Sequence, residues 1–181
     1  MKNIAIFASG SGTNAENIAR YFANSENVNV AVVLSNNRNV GVHGRVNKLG
    51  VPSFVFSREE FIAGVPILEK LAEYDVCLIV LAGFMNKISD VILQAFPGKI
   101  VNIHPALLPK YGGKGMYEAV VKAGERESGI TIHYINEHYD EGAIIFQASC
   151  PVLPSDTPEE VASKVHALEY AHYPHVIESL L

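Results

Sequence analysis

An amide and an imidazole stand two residues apart in the segment IVNIH, which a proline follows directly. Side chains alternate between the two faces of a β-strand, so Asn102 and His104 share one face while Val101 and Ile103 take the other. Pro105 has no N–H to give to a strand ladder, and it ends the strand at this point. The pattern predicts that both polar side chains emerge at the carboxyl end of a strand, where open parallel sheets bind ligands.

Two further residues could complete this polar group. His133 lies in a second apolar stretch, and Asp140 lies in the polar connection EHYDEG that follows it. A carboxylate beside His104 would favour the charged imidazolium. An aspartate before Glu-Gly is also common in solvated turns, so the local sequence leaves both roles open for Asp140.

A glycine-rich loop, ASGSGTNAENI, follows the first apolar stretch. Small residues let the main chain approach a ligand closely, and free N–H groups at a helix start favour an anion. The loop lacks the third glycine of a dinucleotide fingerprint and the G-K-[ST] of a P-loop. A single phosphate held by Gly12, Thr13 and Asn14 fits better, while the alternative is a tight turn with Thr13 or Asn14 as helix cap.

Stretches typical of buried strands alternate with stretches of helical spacing along the first two thirds of the chain. Strands are predicted at 2–9, 28–36, 52–56, 75–83 and 100–104, and helices at 14–25, 40–49, 59–73 and 87–95. This rhythm predicts an α/β fold with a doubly wound, mostly parallel sheet of Rossmann-like type.

The last third of the chain changes character. A helix is predicted at 116–124, and strands at 129–136 and 143–152 lie close enough for an antiparallel hairpin. A C-terminal helix is expected to start near Thr157, which forms a capping box with Glu160. Pro174 is expected to kink or break this helix.

Composition limits the class of protein. A chain of 181 residues that is 49% hydrophobic and 18% charged suits one globular domain. A net charge of −5 argues against binding to nucleic acid. The longest apolar run, 76–85, is too short to span a membrane, and the N-terminus is unlike a signal peptide, so a cytoplasmic protein is expected. Cys77 and Cys150 lie in apolar runs and are expected to be buried free thiols, and no histidine spacing indicates a metal site.

Four motifs carry a family resemblance over nearly the whole chain: SGSGTN, LAGFM, NIHPALLPKY and GITIHYINEHYDEGAIIFQ. The chain resembles the folate-dependent formyltransferases, and its glycine loop is most similar to the members of that family that formylate glycinamide ribonucleotide in purine biosynthesis. The resemblance implies a single formyltransferase domain over 1–181, with a nucleotide- and phosphate-binding half (1–100) and a catalytic and folate-binding half (101–181). It also implies a cis peptide bond between Leu108 and Pro109.

The resemblance assigns a role to each candidate residue, with 10-formyltetrahydrofolate as cosubstrate and no metal. The catalytic residues it implies are Asn102, His104 and Asp140. The substrate-binding residues it implies are Gly12, Thr13, Asn14 and Glu169. The folate-binding residues it implies are Arg58, Met85, Asn86, Lys87 and Ile88. The expected partners are small molecules only, and the chain is expected to be a monomer or a homodimer.

One segment departs from the family pattern. In GGKGMYEAV (112–120), Tyr117 and Glu118 stand where family members commonly have a histidine and a basic or polar residue. The departure affects local substrate contacts and leaves the three catalytic positions unchanged.

Two other formyl-group enzymes and a non-catalytic module are the alternatives to this function. A methionyl-tRNA formyltransferase would need a tRNA-binding extension and a more basic surface, and a formyltetrahydrofolate deformylase would need an N-terminal regulatory domain. Neither is expected in 181 residues whose first strand starts at residue 2. A non-catalytic nucleotide-binding module would leave Asn102, His104 and Asp140 without a joint purpose.

Overall fold

Parallel strands form the larger part of a seven-stranded sheet. The structure is a computed structural model that describes residues 1–138 and 141–181. The parallel strands are β1 (Lys2–Phe7), β2 (Val28–Ser35), β3 (Ser53–Val55), β4 (Val76–Leu81) and β5 (Ile100–His104). The last four residues of β1 and of β4 are all buried, so these strands are covered on both faces, as a parallel sheet between two helical layers requires.

Two antiparallel strands extend the sheet beyond β5. They are β6 (Glu127–Tyr134) and β7 (Ile144–Pro151). The strand order is β3-β2-β1-β4-β5-β6-β7, with parallel pairing from β3 to β5 and antiparallel pairing from β5 to β7. This arrangement confirms the predicted doubly wound sheet and its C-terminal hairpin.

Helices cover both faces of the sheet. They are α1 (Thr13–Phe22), α2 (Gly41–Asn47), α3 (Arg58–Ala63), α4 (Val65–Glu73), α5 (Asp90–Ala95), α6 (Met116–Lys122) and α7 (Pro158–Ser179). Side chains of β1 alternate between two cores: Ile4 and Ile6 pack under α1 and α7, while Ala5 and Phe7 pack on the other face. All four are fully buried, which is the period-2 pattern expected of a strand between two layers.

The predicted helix at 59–73 is wrong as a single element. It is two helices, α3 and α4, which meet at Gly64. Gly64 has φ 77°, and a Cβ there would lie 2.7 Å from Cβ of Val91. A positive φ at this close contact ends α3, because the left-handed region is open mainly to glycine.

Pro174 is expected to kink or break the last helix, and the expected break is wrong. Helix α7 runs from Pro158 to Ser179 through Pro174. Proline removes the N–H that would serve the carbonyl four residues earlier, on Tyr170. The side-chain amide of Asn17 donates to that oxygen instead, over 3.1 Å, and so replaces the missing donor.

Helix α7 begins as predicted and is anchored at the centre of the sheet. The Thr157 hydroxyl accepts from Glu160 N at 3.2 Å, and the Glu160 carboxylate accepts from Thr157 N at 2.8 Å. Further along, the buried Tyr173 hydroxyl donates to Leu81 O at 2.8 Å. The buried phenol of Tyr173 therefore has the hydrogen-bond acceptor that a buried hydroxyl requires.

Three remaining expectations concern cysteines and membrane spans. Cys77 and Cys150 are both free, as predicted. Cys150 is buried as expected, whereas the expected burial of Cys77 is wrong, since that residue is only partly buried. Within residues 1–138 and 141–181, no helix has the length and apolar character needed to cross a bilayer.

Candidate active site

The site lies at the point where the strand order reverses: β2 and β3 lie on one side of β1, and β4 to β7 lie on the other. Strand β1 has β2 on one side and β4 on the other, which makes the carboxyl ends of β1 and β4 the topological switch point. The loops that follow these strands are joined: Ser9 N donates to Gly83 O at 3.1 Å, and Met85 N donates to Ser9 Oγ at 2.9 Å. The glycine loop and the segment predicted to bind folate are therefore neighbours.

Asn102 lies near the end of β5 with its amide held in one orientation. Its cross-strand partner is His133 on β6, and Asn102 Nδ2 is 3.2 Å from His133 Nε2. His133 Nδ1 is 3.0 Å from Tyr134 O, an acceptor, so Nδ1 carries the proton and Nε2 accepts from the amide. One N–H of Asn102 is thereby fixed, and among the described residues the second N–H and Oδ1 have no hydrogen-bond partner, so they can face a ligand.

His104 is the last residue of β5 and is only 5% exposed. Its Nε2 lies 2.8 Å from the main-chain oxygen of Tyr111. The sequence placed His104 on the same face as Asn102, and the pairing of these residues with Thr131 and His133 on β6 agrees with this alternation. Thr131 and His133 are also two residues apart and share one strand face. Their spacing in the sequence could have predicted that they lie beside Asn102 and His104.

The loop after β5 is held by buried hydrogen bonds. The Thr131 hydroxyl donates to Ala106 O at 2.7 Å and accepts from Leu108 N at 3.0 Å. Gln147 Nε2 donates to Leu108 O at 3.0 Å. The peptide bond between Leu108 and Pro109 is cis, as the resemblance implied. These contacts make Thr131 and Gln147 structural supports of the site that the sequence did not identify.

Asp140 lies outside the described residues. Its predicted approach to His104 therefore stays a prediction. Asn136, four residues before Asp140 in the sequence, lines the same pocket as Asn102.

The predicted phosphate site lies at the start of α1. Gly12 has φ 76°, and a Cβ on it would lie 2.5 Å from Val42. Only glycine fits this position without strain, because the backbone is left-handed and the space is filled. The main-chain N–H groups of Thr13 and Asn14 belong to the first turn of α1, whose donors have no acceptor within the helix.

Glu169 on α7 lies against this turn. Asn14 Nδ2 is 3.4 Å from Glu169 Oε2, and Asn14 Oδ1 is buried with no hydrogen-bond partner among the described residues. Burial raises the pKa of the Glu169 carboxyl from its ordinary 4.5 to about 7. Both protonation states of Glu169 are therefore accessible near neutral pH.

Two tyrosines to which the sequence analysis gave no role lie near Glu169 and the start of α1. The Tyr170 hydroxyl donates to Thr13 Oγ1 at 3.0 Å. The Tyr117 hydroxyl lies 3.4 Å from Nε2 of His166. Burial, and next the charge of Glu169, raise the pKa of the Tyr117 phenol, so it keeps its proton. The departure from the family pattern at Tyr117 thus falls beside the predicted substrate residues.

A pocket lies between the ends of β4, β5 and β6. It is lined by Leu81, Phe84, Asn86, Lys87, Ile88, Asn102, Ile135 and Asn136. Asn86, Lys87 and Ile88, three of the residues predicted to bind folate, therefore line the same pocket as Asn102. Met85 and Arg58 are exposed and are not among the lining residues. Arg58 begins α3, directly after the Ser57 cap.

Fold and site together define a doubly wound α/β protein with a polar crevice at the carboxyl ends of its parallel strands, the arrangement of many nucleotide-handling enzymes. In the part of the chain that the structure describes, no three His, Cys, Asp or Glu side chains are grouped to hold a metal ion. The model of the formyl transferase family matches residues 2–177. The chain belongs to this family.

Within this family, the chain is similar over nearly its full length to several proteins that share one name or a synonym of it. The chain is 39% identical over 183 residues to phosphoribosylglycinamide formyltransferase of Haemophilus influenzae, which covers 98% of this chain and 86% of the relative. It is 38% identical to the enzyme of that name from Bacillus subtilis, over 100% of this chain and 95% of the relative. The structure of glycinamide ribonucleotide transformylase 1 from Geobacillus kaustophilus superposes with a TM-score of 0.94 at 36% identity, covering 100% and 99% of the two chains.

Proposed function

We propose that the protein transfers the formyl group of 10-formyltetrahydrofolate to the amino group of glycinamide ribonucleotide, a step of purine biosynthesis. The observation that carries the proposal is the position of Asn102. Its side chain lines the pocket beside Leu81 and Phe84 and stands two residues before His104 on the same strand face. The pocket holds about 10 Å³ as it stands, so a flat, partly apolar pterin would have to widen it, and would then present its formyl group to the amide and the imidazole.

The chemistry requires donors to a developing oxyanion. The substrate amine attacks the formyl carbon, the carbonyl oxygen becomes negative, and the bond from carbon to N10 of the folate then breaks. The second N–H of Asn102 and a protonated His104 can donate to that oxygen. No covalent intermediate on the protein is needed, since the amine itself is the nucleophile.

Proton movement assigns a role to Asp140. The attacking amine loses a proton and the departing N10 gains one, so the net reaction needs a proton carrier and neither an oxidant nor a reductant. A carboxylate near His104 would stabilise the imidazolium and pass protons through water. We assign this role to Asp140.

The ribonucleotide is proposed to bind along the start of α1. Its phosphate would accept hydrogen bonds from the main chain at Gly12, Thr13 and Asn14, where the helix dipole also favours an anion. Buried Asn14 Oδ1 lacks a donor within the described chain, and a ligand N–H or O–H would supply one. Glu169, 9% exposed, would contact the glycinamide end, where its ionised form would attract the substrate ammonium.

The folate is proposed to extend from the pocket to the protein surface. Asn86, Lys87 and Ile88 line the pocket, and Met85, which precedes them in the sequence, is 54% exposed. Arg58 is also exposed, and its guanidinium suits a carboxylate of the glutamate tail.

The division into a nucleotide- and phosphate-binding half (1–100) and a catalytic and folate-binding half (101–181) stays a proposal. Glu169 belongs to the second half yet contacts Asn14 of the first. Arg58 and Met85–Ile88 belong to the first half although their proposed ligand is the folate. A monomer or homodimer that acts in the cytoplasm on small molecules, without nucleic acid or membrane partners, remains our expectation.

The test is incubation of the purified protein with glycinamide ribonucleotide and 10-formyltetrahydrofolate. We expect formylated ribonucleotide and tetrahydrofolate in equal amounts. Release of formate without ribonucleotide would instead indicate a deformylase, and formylation of methionyl-tRNA would indicate the tRNA enzyme. Binding of both ligands with no product would support the non-catalytic module. Asp140→Asn should lower turnover, since an amide does not stabilise the imidazolium by charge.

A further inference from the structure

The ring of His104 is held by a main-chain oxygen seven residues further along the chain. Nε2 of His104 lies 2.8 Å from O of Tyr111. A carbonyl oxygen only accepts, so the ring nitrogen at this contact carries a proton. In the neutral imidazole, Nδ1 is then an acceptor, and it becomes a donor only in the charged form. The contact with Tyr111 thus assigns Nε2 of His104 to the main-chain oxygen and leaves Nδ1 as the nitrogen that donates to a ligand when the ring is charged.

Tyr111 adopts a backbone conformation that tyrosine rarely takes. Its φ is 56°, in the left-handed region, where a side chain with a Cβ is disfavoured. Asp75 is the other non-glycine residue with positive φ in the described parts of the chain. Such a conformation persists only where surrounding contacts hold it.

The contact that holds Tyr111 is made by its phenol. The Tyr111 hydroxyl donates to Glu125 Oε1 at 2.8 Å, and the ammonium of Lys110 lies 3.6 Å from the same oxygen. The hydrogen bond to Glu125 raises the pKa of the Tyr111 phenol above its usual value, so the phenol remains a donor. Glu125 lies three residues after the end of α6 and is held there by its N–H, which donates to Val120 O at 3.2 Å.

The tyrosine ring is partly buried against the core but also borders open space. A cavity of about 120 Å³ adjoins it, lined by Leu107, Lys110, Tyr111, Val120, Glu125, Glu127 and Ser128. A ring beside open space could shift if its hydroxyl were released. The bond to Glu125 therefore matters more for Tyr111 than it would for a closely packed side chain.

We propose that Tyr111 is a positioning residue for His104, and that Glu125 holds Tyr111 in place through the phenol. The loop between β5 and α6 then acts as a clamp: Glu125 fixes the side chain, the side chain fixes the left-handed backbone, and the backbone oxygen fixes the ring of His104. The inference rests on the proposed function, because it gives His104 its role at the oxyanion. Neither Tyr111 nor Glu125 needs to touch either substrate.

The first test uses Tyr111→Phe and Glu125→Ala. We expect each to lower kcat by roughly 3- to 10-fold, the equivalent of one ordinary hydrogen bond, with little change in KM for the ribonucleotide. Both substitutions remove the same hydrogen bond between Tyr111 and Glu125, so kcat of the double variant should fall no further than kcat of either single variant. Multiplied losses in the double variant, or an unchanged kcat in Tyr111→Phe, would overturn the clamp.

Tyr21→Phe is the matched control. The Tyr21 hydroxyl donates to Glu178 at 2.7 Å, a similar phenol–carboxylate bond on the exposed surface of α1 and α7. Its removal should leave kcat unchanged. A comparable loss of kcat in Tyr21→Phe would mean that such bonds act through general stability, and it would count against a positioning role.

The second test observes His104 directly in protein carrying ¹⁵N-labelled histidine. The wild-type protein should show a resolved Nε2–H signal for His104, because a hydrogen-bonded ring proton exchanges slowly with water. Tyr111→Phe should broaden that signal by faster exchange. A neutral wild-type His104 protonated at Nδ1 would refute the proposal even if both variants failed to fold. A wild-type protein that shows the Nε2–H signal but transfers no formyl group would refute the proposed function and leave the clamp standing.

Discussion

The side-chain amide of Asn14 lies 3.4 Å from the carboxylate of Glu169 and joins the first helix to the last across 155 positions of sequence. It brings together the proposed sites for the phosphate and for the glycinamide end of one substrate. The contact also lies within an enclosed part of the molecule, since Glu169 is only 9% exposed. Four experiments examine this site and the fold that builds it.

The first prediction concerns stability and pH. Burial raises the pKa of Glu169 from 4.5 to about 7, so the folded protein favours the protonated carboxyl. The stability that this preference gives is fully present below pH 4.5 and is lost as pH rises through about 7. Glu169→Gln cannot ionise. It should therefore gain stability relative to wild type by as much as ~3 kcal/mol between pH 5 and pH 8.

Urea unfolding of both proteins at the two pH values measures this difference. Glu26→Gln, at an exposed position, is the control and should show the same difference from wild type at both pH values. If Glu169→Gln behaved like Glu26→Gln, the carboxyl of Glu169 would not be protonated by burial.

The second prediction tests the phosphate site. Gly12→Ala forces a left-handed alanine whose Cβ would meet Val42 at 2.5 Å, so the first turn of α1 must shift. We expect KM for the ribonucleotide to rise roughly 10-fold or more through weakened charge-assisted hydrogen bonds, with a much smaller change for the folate. Gly10→Ala is the control, since a Cβ there meets nothing within 4 Å. Equal effects of Gly12→Ala on both substrates would count against this placement of the phosphate.

The third prediction separates catalysis from binding. His104→Ala should lower turnover by roughly 100- to 1000-fold, the usual effect of losing one oxyanion donor. Binding of the ribonucleotide, measured by calorimetry, should remain close to that of wild type, because the proposed contacts of that substrate lie on α1 and α7. His175→Ala, at an exposed position of α7, serves as control. A parallel loss of turnover and ribonucleotide affinity in His104→Ala would assign the residue to binding.

The fourth prediction tests how α7 passes through Pro174. Asn17→Ala should cost about 1 kcal/mol of unfolding free energy, because it leaves the Tyr170 carbonyl without a donor. In a Pro174→Ala background the restored N–H can serve that carbonyl, and Asn17→Ala should then cost much less. Chemical unfolding of the four proteins in this cycle gives the coupling. The same cost in both backgrounds would mean that Asn17 does not replace the missing donor.

Sequence periodicity determined what depends on neighbours along the chain. The alternation of Asn102 and His104 follows from the geometry of any strand, and the capping box of Thr157 and Glu160 closes within four residues. The order of strands and helices likewise indicated a doubly wound sheet, since parallel strands need helical crossovers. These features hold whatever the rest of the molecule does, so a local pattern suffices to predict them.

The tertiary structure decided what depends on residues far apart in sequence. Gly64 splits a helix because Val91 packs against it, and Pro174 leaves α7 unbroken because Asn17 lies opposite. The carboxyl of Glu169 becomes a weaker acid only when the last helix covers the first, and His104 is oriented by a strained Tyr111 whose hydroxyl reaches Glu125. Burial and hydrogen bonding at these positions arise when the sheet brings distant segments together, and no spacing of residue types along the chain encodes that approach.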